Sequence, residues 1–388
     1  MIYPKFPRTQ ESAAAGTFTD AASDAPVIGI CAPSAGIGYK AASFDMSEEM
    51  IRALGYRIVE TPSVRSDDNP SACAQVRGAE FNSLFADPEV AAVIAATGGE
   101  YNIEMLPYID EQLIRSNPKW FAGYSDPTNI SFYMTTKLDI ATIYGFNAGS
   151  FDWRPLHEYQ ETALNVLSSC ITGNAANSCI TDSTANGSIT TDAASGCIPV
   201  QHSYDLWDST RDFENICLDT PVSWDLYLPT HGDTTGAFMP ASSPFEPSRE
   251  PFEVSGRLIG GCTDVIDALI GTPYEDSSAF IERYADDDFI WYFDTFEVSP
   301  FNLYLFFTKM RLAGYLRNAK VIILGRVMFT HGASEDEYID LLKRALPDIP
   351  FVWGADIGHT KPAMTLINGS LGTLRLQDGK AELTMELK

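Results

Sequence analysis

Positive charge is scarce in this 388-residue chain: 26 Lys and Arg stand against 52 Asp and Glu, for a formal net charge of −26. Clustered cations are what hold a phosphate backbone, so this balance argues against nucleic-acid polymers and anionic membranes as partners. The surplus acid reads as surface solubility. Long apolar runs are missing too; none approaches the roughly 20 residues of a membrane span. The segment from Met1 to Gly16 shows no apolar stretch behind Lys5 and Arg8, and no secretory signal is expected. The seven cysteines, Cys31, Cys73, Cys170, Cys179, Cys197, Cys217 and Cys262, are scattered and lack any CxxC spacing. They read as reduced, small apolar residues of a cytosolic protein. The five histidines form no HxxxH or HxH pair, so no metal site is expected; no organic cofactor is implied either.

What the chain does have is length and apolar content for a large core, with 45% hydrophobic residues pointing to a packed protein of two domains. Residues 1–25 form an Ala-, Ser- and Thr-rich arm. From Val27 to about Leu167, short apolar strands alternate with helical segments, the pattern of a doubly wound parallel sheet. In such sheets ligands bind beyond the carboxyl ends of the strands. Between 170 and 250, Asn, Ser, Thr, Gly and Pro dominate, and aromatic residues gather at Tyr204, Trp207, Phe213, Trp224 and Tyr227. From Val254 onward strands and helices resume and finish in a hairpin, Gly372 to Met385. The expected partition is an α/β N-terminal domain over 1–172, a connection with a substrate-covering loop over 173–250, and a smaller C-terminal α/β domain over 251–388.

The sharpest local signal is Gly123-Tyr124-Ser125-Asp126. It lies between a buried strand, Trp120 to Gly123, and a helix opened by Pro127. A serine there sits where backbone N–H groups and the positive helix end can hold an oxyanion; the plainer reading is that Ser125 or Asp126 caps the helix. A serine hydroxyl needs a base, and that base needs an orienting group. Of the histidines, His359 in Gly358-His359-Thr360-Lys361-Pro362 has the best setting, a loop after an apolar strand; His331 is the reserve. Backbone N–H groups of Gly99, in Thr97-Gly98-Gly99, and of Asp126 are the candidate oxyanion donors, and Gly98 lets the backbone approach substrate closely. Cys262, in Gly260-Gly261-Cys262-Thr263-Asp264, is a rival nucleophile of amidase type or a packed residue beside the substrate.

Arg77-Gly78-Ala79-Glu80-Phe81, Thr97-Gly98-Gly99, Asn117 to Asp126, Gly260-Gly261, Leu269 to Pro273, Val321 to Gly325 and Gly358 to Pro362 occur in the order and spacing of the LD-carboxypeptidase family of serine peptidases, which the chain resembles from about Val27 onward. The resemblance implies a glutamine amidotransferase-like first domain, a barrel-like second domain, a homodimer, and Ser125 with His359 and a carboxylate converging in a cleft between domains. That carboxylate is usually a glutamate at the end of an apolar strand. Here the position falls on Asp294, with Glu297 the alternative if the strand end is shifted. Asn is usual where Cys262 stands. The implied substrate is a small peptide-like molecule, either an L,D-peptide of cell-wall turnover or a peptidyl or aminoacyl nucleotide of the microcin C type. Trp207 and Trp224 are expected to cover the cleft and stack a base in the second case. With two departures from the family pattern, a catalytically silent ligand-binding relative also stays open.

Overall fold

The computed structural model describes residues 1–5, 25–172, 198–212, 215–229 and 246–388. Most of the N-terminal arm and Phe213 lie outside the described residues. Two compact units are present: Met1–Val200 with Thr365–Ser370 and Thr384–Lys388, and Gln201–Met364 with Leu371–Leu383.

The first unit is built on a sheet of parallel strands β1 (Val27–Cys31), β2 (Arg57–Glu60), β3 (Val90–Ala95), β4 (Trp120–Ala122) and β5 (Thr142–Tyr144). Helices α1 (Ala41–Ala53), α2 (Ala74–Ala86), α3 (Glu111–Ser116), α4 (Thr128–Thr136) and α5 (Glu158–Thr172) alternate with them. Every residue of β1 and β3 is buried, which is why both read as unbroken apolar runs instead of alternating ones. Leu366–Asn368 adds a sixth strand, antiparallel to β5. From that edge the order is Leu366–Asn368, β5, β4, β3, β1, β2. The chain therefore reverses its direction of travel across the sheet between β1 and β3, and their carboxyl ends form the crevice in which doubly wound sheets bind ligands. Ser34, Gly98 and Gly99 follow those two strands, and Ser125 follows β4.

The second unit carries β6 (Gln201–His202), β7 (Leu206–Trp207), β8 (Thr220–Pro221), β9 (Asp225–Tyr227), β10 (Phe252–Cys262), β11 (Phe289–Asp294), β12 (Ala319–Gly325) and β13 (Phe351–Ala355). After the inserted strand Leu366–Asn368, numbered β14, come β15 (Leu371–Gln377) and β16 (Lys380–Glu386). β10 to β13 are parallel neighbours, flanked by antiparallel β15 and β9. The eight-strand order is β6-β16-β15-β10-β11-β12-β13-β9. Among the described residues the expected barrel-like domain thus takes the form of an open sheet, with β6 and β9 at the two ends of the strand order. Helices α6 (Thr263–Leu269), α7 (Ser277–Arg283), α8 (Pro300–Leu312) and α9 (Glu335–Ala345) connect these strands. Ser299 caps α8 by accepting from Asn302 N–H, and Ser334 with Glu337 forms a capping box on α9. Helical spacing predicts α8 running to Arg317. It stops at Leu312 because Gly314 takes the left-handed conformation that ends helices. Phe293 packs edge-on against Phe306 and Phe307 of α8, fixing the end of β11. No helix among the described residues is long and apolar enough to cross a membrane.

Candidate active site

The first unit presents Ser125 on a tight turn between β4 and α4, at φ 68°. A non-glycine residue in the left-handed region carries about 1–3 kcal/mol of strain, which surrounding bonds must hold. Those bonds are present on both sides. Asn147 clasps the strand side, its Oδ1 accepting from Tyr124 N–H at 3.1 Å. On the helix side the Ser125 carbonyl accepts from Thr128 N–H at 2.9 Å and from Thr128 Oγ1 at 2.6 Å. A β-carbon placed on Gly98 would lie 3.1 Å from both Ser125 Cβ and Oγ, so the Gly98 backbone runs directly beside the hydroxyl. Gly99 is at φ +145°, and its own missing β-carbon would fall 2.2 Å from Ser34 Oγ. Asp126 is buried, and burial raises its carboxyl above the ordinary range.

In the second unit, Asp294 ends β11 fully buried, and His359 lies in the loop after β13 at 6% exposure. His359 Nδ1 is 2.9 Å from Asp294 Oδ1 and 2.8 Å from Oδ2, and Oδ1 also accepts from the His359 backbone N–H at 3.3 Å. An ionised carboxylate on Nδ1 selects the tautomer with its proton there and leaves Nε2 as the basic nitrogen. Phe296 lies against the imidazole, ring centroids 4.3 Å apart. Gly358 is at φ +97°, and a β-carbon there would collide with Asp294 Oδ1 at 1.9 Å.

Glu297 does not reach His359. Its Oε1 pairs instead with the exposed His331 Nε2 at 2.9 Å. Cys262 is the strand neighbour of Asp294, and its thiol lies 3.9 Å from Asp264 Oδ2. Burial, reinforced by Asp294 and Asp264, pushes that thiol well above its ordinary pKa, which disfavours the thiolate a cysteine nucleophile needs. Trp224, expected in a cover over the cleft, is buried at 1% exposure and donates its Nε1–H to Asp356 Oδ2 at 3.0 Å. It is a core anchor, because Asp356, fully buried, needs donors to balance its charge. Tyr204 N–H donates to the same oxygen at 3.1 Å, and the Arg326 guanidinium forms an ion pair with Asp356 Oδ1 at 2.8 Å. Trp207 stays partly exposed, with the Arg326 and Arg211 guanidinium groups 4.6 and 5.5 Å from its ring centroid. Sequence reading gave no role to Ser34, Asn102 or Asp356. A polar residue at the exit of a buried apolar strand was the available signal for Asp356, which directly follows β13, and for Ser34, three residues past β1; Asn102 carried none.

Residues 28–145 match the family model of the LD-carboxypeptidase N-terminal domain, and residues 255–374 that of the LD-carboxypeptidase C-terminal domain. A Vibrio cholerae protein named as a presumed carboxypeptidase is 23% identical over 342 residues, 85% of this chain and 86% of that protein. The microcin C7 self-immunity protein MccF of Escherichia coli is 30% identical over 98 residues, 25% of this chain and 28% of MccF. Among solved structures, MccF in complex with aspartyl sulfamoyl adenosine superposes with a TM-score of 0.65 at 19% identity, covering 93% of this chain and 96% of that one. A muramoyltetrapeptide carboxypeptidase from Oxalobacter formigenes gives 0.62 at 19% identity, covering 93% and 99%. The structural likeness speaks to the fold. Both domain models come from one family, lie in that family's order and together take in more than half of the sequence, so the chain belongs to the LD-carboxypeptidase family.

Proposed function

We propose that this peptidase is of the serine type and cleaves an amide bond of a small peptide-like substrate through an acyl-enzyme. The observation that carries the reading is Ser125 at φ 68° on a strand-to-helix turn with the Gly98 backbone against its hydroxyl, the strained setting that exposes a nucleophilic serine. Ser125 Oγ attacks the carbonyl carbon while His359 Nε2 takes the hydroxyl proton. Asp294 holds the imidazole and stabilises the imidazolium that forms. The N–H groups of Gly99 and Asp126 donate to the developing oxyanion. Collapse breaks the C–N bond, and the amine leaves with the proton from His359. Water then adds to the acyl carbon by the reverse proton sequence and frees Ser125.

The substrate we favour is an L,D-peptide of cell-wall turnover, in keeping with the family. Trp207 supports a second reading, hydrolysis of an aminoacyl nucleotide: its indole is partly exposed and electrostatically framed by two arginines, and solved relatives bind aminoacyl sulfamoyl nucleotides. The scattered cysteines support a cytoplasmic setting, and the family resemblance a homodimer. The test is a fluorophosphonate probe with peptide mapping, followed by a hydrolysis screen of a muropeptide L,D-tetrapeptide against aminoacyl sulfamoyl adenosines. A phosphonyl adduct on Ser125 and turnover of one substrate are expected. No adduct and no turnover of either would leave a ligand-binding relative.

A further inference from the structure

The carboxylate of Asp126 has an unusual set of partners for a residue at the start of a helix. A capping side chain accepts N–H groups of the first helical turn. The Asp126 carboxylate accepts none of them: the Asn129 backbone N–H goes to the Asp126 carbonyl, and α4 has Pro127 at its N-cap and no side-chain cap. Its Oδ2 instead accepts from Ser34 Oγ and, at 2.8 Å, from Asn102 N–H, while Oδ1 accepts from Asn129 Nδ2 at 2.8 Å. Ser34 belongs to the segment after β1 and Asn102 to the segment after β3. Ser34 Oγ also accepts from Tyr101 N–H at 3.2 Å, and Ala35 N–H donates to the Gly98 carbonyl at 3.2 Å. Gly98 and Gly99 therefore lie within a network in which the carboxylate binds Ser34 Oγ and Asn102 N–H directly, and Ala35, next to Ser34, holds the Gly98 carbonyl. Arg77, fully buried, fastens the same two segments from behind, donating to the carbonyls of Pro33 at 2.6 Å and Tyr101 at 2.9 Å. Burying a carboxylate is costly, and a helix cap could have been had from an exposed one.

Resting on the reading of Ser125 as nucleophile, we propose that the Asp126 side chain is a positioning residue that holds the Gly98–Gly99 backbone against Ser125, so that the Gly99 and Asp126 N–H groups converge on one oxyanion. Its backbone supplies one donor and its carboxylate sets the place of the other. Misplacing one donor of an oxyanion hole costs about 10²–10³-fold in rate.

Phosphonylation by a fluorophosphonate probe tests this without knowledge of the natural substrate, because the phosphonyl oxygen occupies the oxyanion position. In Asp126→Ala the maximal labelling rate should fall about 100-fold or more. The half-saturating probe concentration should move less than threefold, and labelling should still reach one adduct per chain. Asp126→Asn keeps an acceptor toward Ser34 and Asn102, so it should recover tenfold or more of the loss. Should Asp126→Ala fold poorly, Ser34→Ala is the milder probe, with an expected loss of about tenfold at full final stoichiometry. A merely structural role would lower the final adduct count and leave the rate per active molecule unchanged; that result, or a rate within threefold of the parent in both Asp126→Ala and Ser34→Ala, overturns the inference. A Ser125→Ala chain that labels or hydrolyses like the parent would remove the nucleophile reading itself, an outcome distinct from normal Asp126 variants in a chain that does depend on Ser125.

Discussion

His359 presents Nδ1 to both carboxylate oxygens of Asp294, at 2.9 and 2.8 Å, while Glu297, three residues along the same strand exit, turns away to His331 at 2.9 Å. Two acidic residues that compete for one role in the sequence thus serve different imidazoles. Asp294→Asn should keep the shape but favour the wrong His359 tautomer, lowering kcat about 10³–10⁴-fold. Glu297→Gln should change it less than threefold. Steady-state hydrolysis of whichever substrate the screen identifies decides; equal losses in both variants would separate His359 from Asp294 in function.

Gly358 offers a second check on that pair. Any L-residue there pays roughly 1–2 kcal/mol for its left-handed backbone, and a β-carbon would also strike Asp294 Oδ1. Gly271 shares the backbone cost, at φ +88°, with nothing within 4 Å of the added carbon. Gly358→Ala should therefore lose probe labelling as well as melting temperature, and Gly271→Ala only melting temperature. Matching behaviour in the two variants would mean that the contact with Asp294 has no functional weight.

Trp207 and Trp224 should part company. Removing the buried Trp224 should destabilise by about 3–5 kcal/mol through the cavity it leaves, read as a lower denaturant midpoint with either substrate class affected alike. Trp207→Ala should leave stability nearly intact. If the nucleotide reading holds, it should weaken aminoacyl nucleotides about tenfold or more, the worth of one stacked base, and spare muropeptides. A loss shared by both substrate classes would make Trp207 an anchor as well.

Lys119 gives a pH signature. It is 7% exposed, with Nζ donating to the carbonyls of Leu84, at 3.0 Å, and Asp87 near the end of α2. Burial lowers its pKa from 10.5 to about 8. Between about pH 8 and 10.5 the unfolded chain therefore holds more protons at this site than the folded one, and its contribution to stability rises with pH across that window. Replacing it in Lys119→Met should remove that rise from the difference between the two stability curves. Parallel curves from pH 7 to 10.5 would show that Lys119 titrates as an ordinary surface lysine.

How far this was legible in the sequence depended on distance along the chain. Ser125 stands out because strand, turn and helix start are contiguous, and the buried β1, β3, β11 and β12 announce themselves as short apolar runs. Asp294 could be placed by counting to a strand end, although residues alone did not separate it from Glu297; only the fold says which carboxylate points at which ring. Trp224 was misread for a related reason. An aromatic in a Pro- and Ser-rich stretch looks like a cover, whereas its partner Asp356 is 132 positions away. The brace on the Gly98–Gly99 segment was equally hidden, since Ser34 and Asp126 meet across 92 residues. Local pattern marks where chemistry sits; long-range polar bonds decide how it is held.

The strand Leu366–Asn368 beside β5 has a consequence for biosynthesis. The sheet that carries Ser125 has most of its strands once Tyr144 has left the ribosome, yet the hydrogen-bonding edge of β5 gains its antiparallel neighbour only when Leu366–Asn368 emerges. A nascent chain in that interval carries an unpaired strand edge, the kind of surface that recruits other strands, so chaperone occupancy during translation should peak there. Products that stop short of Leu366 should be lost to aggregation even though Ser125 and its turn are already made.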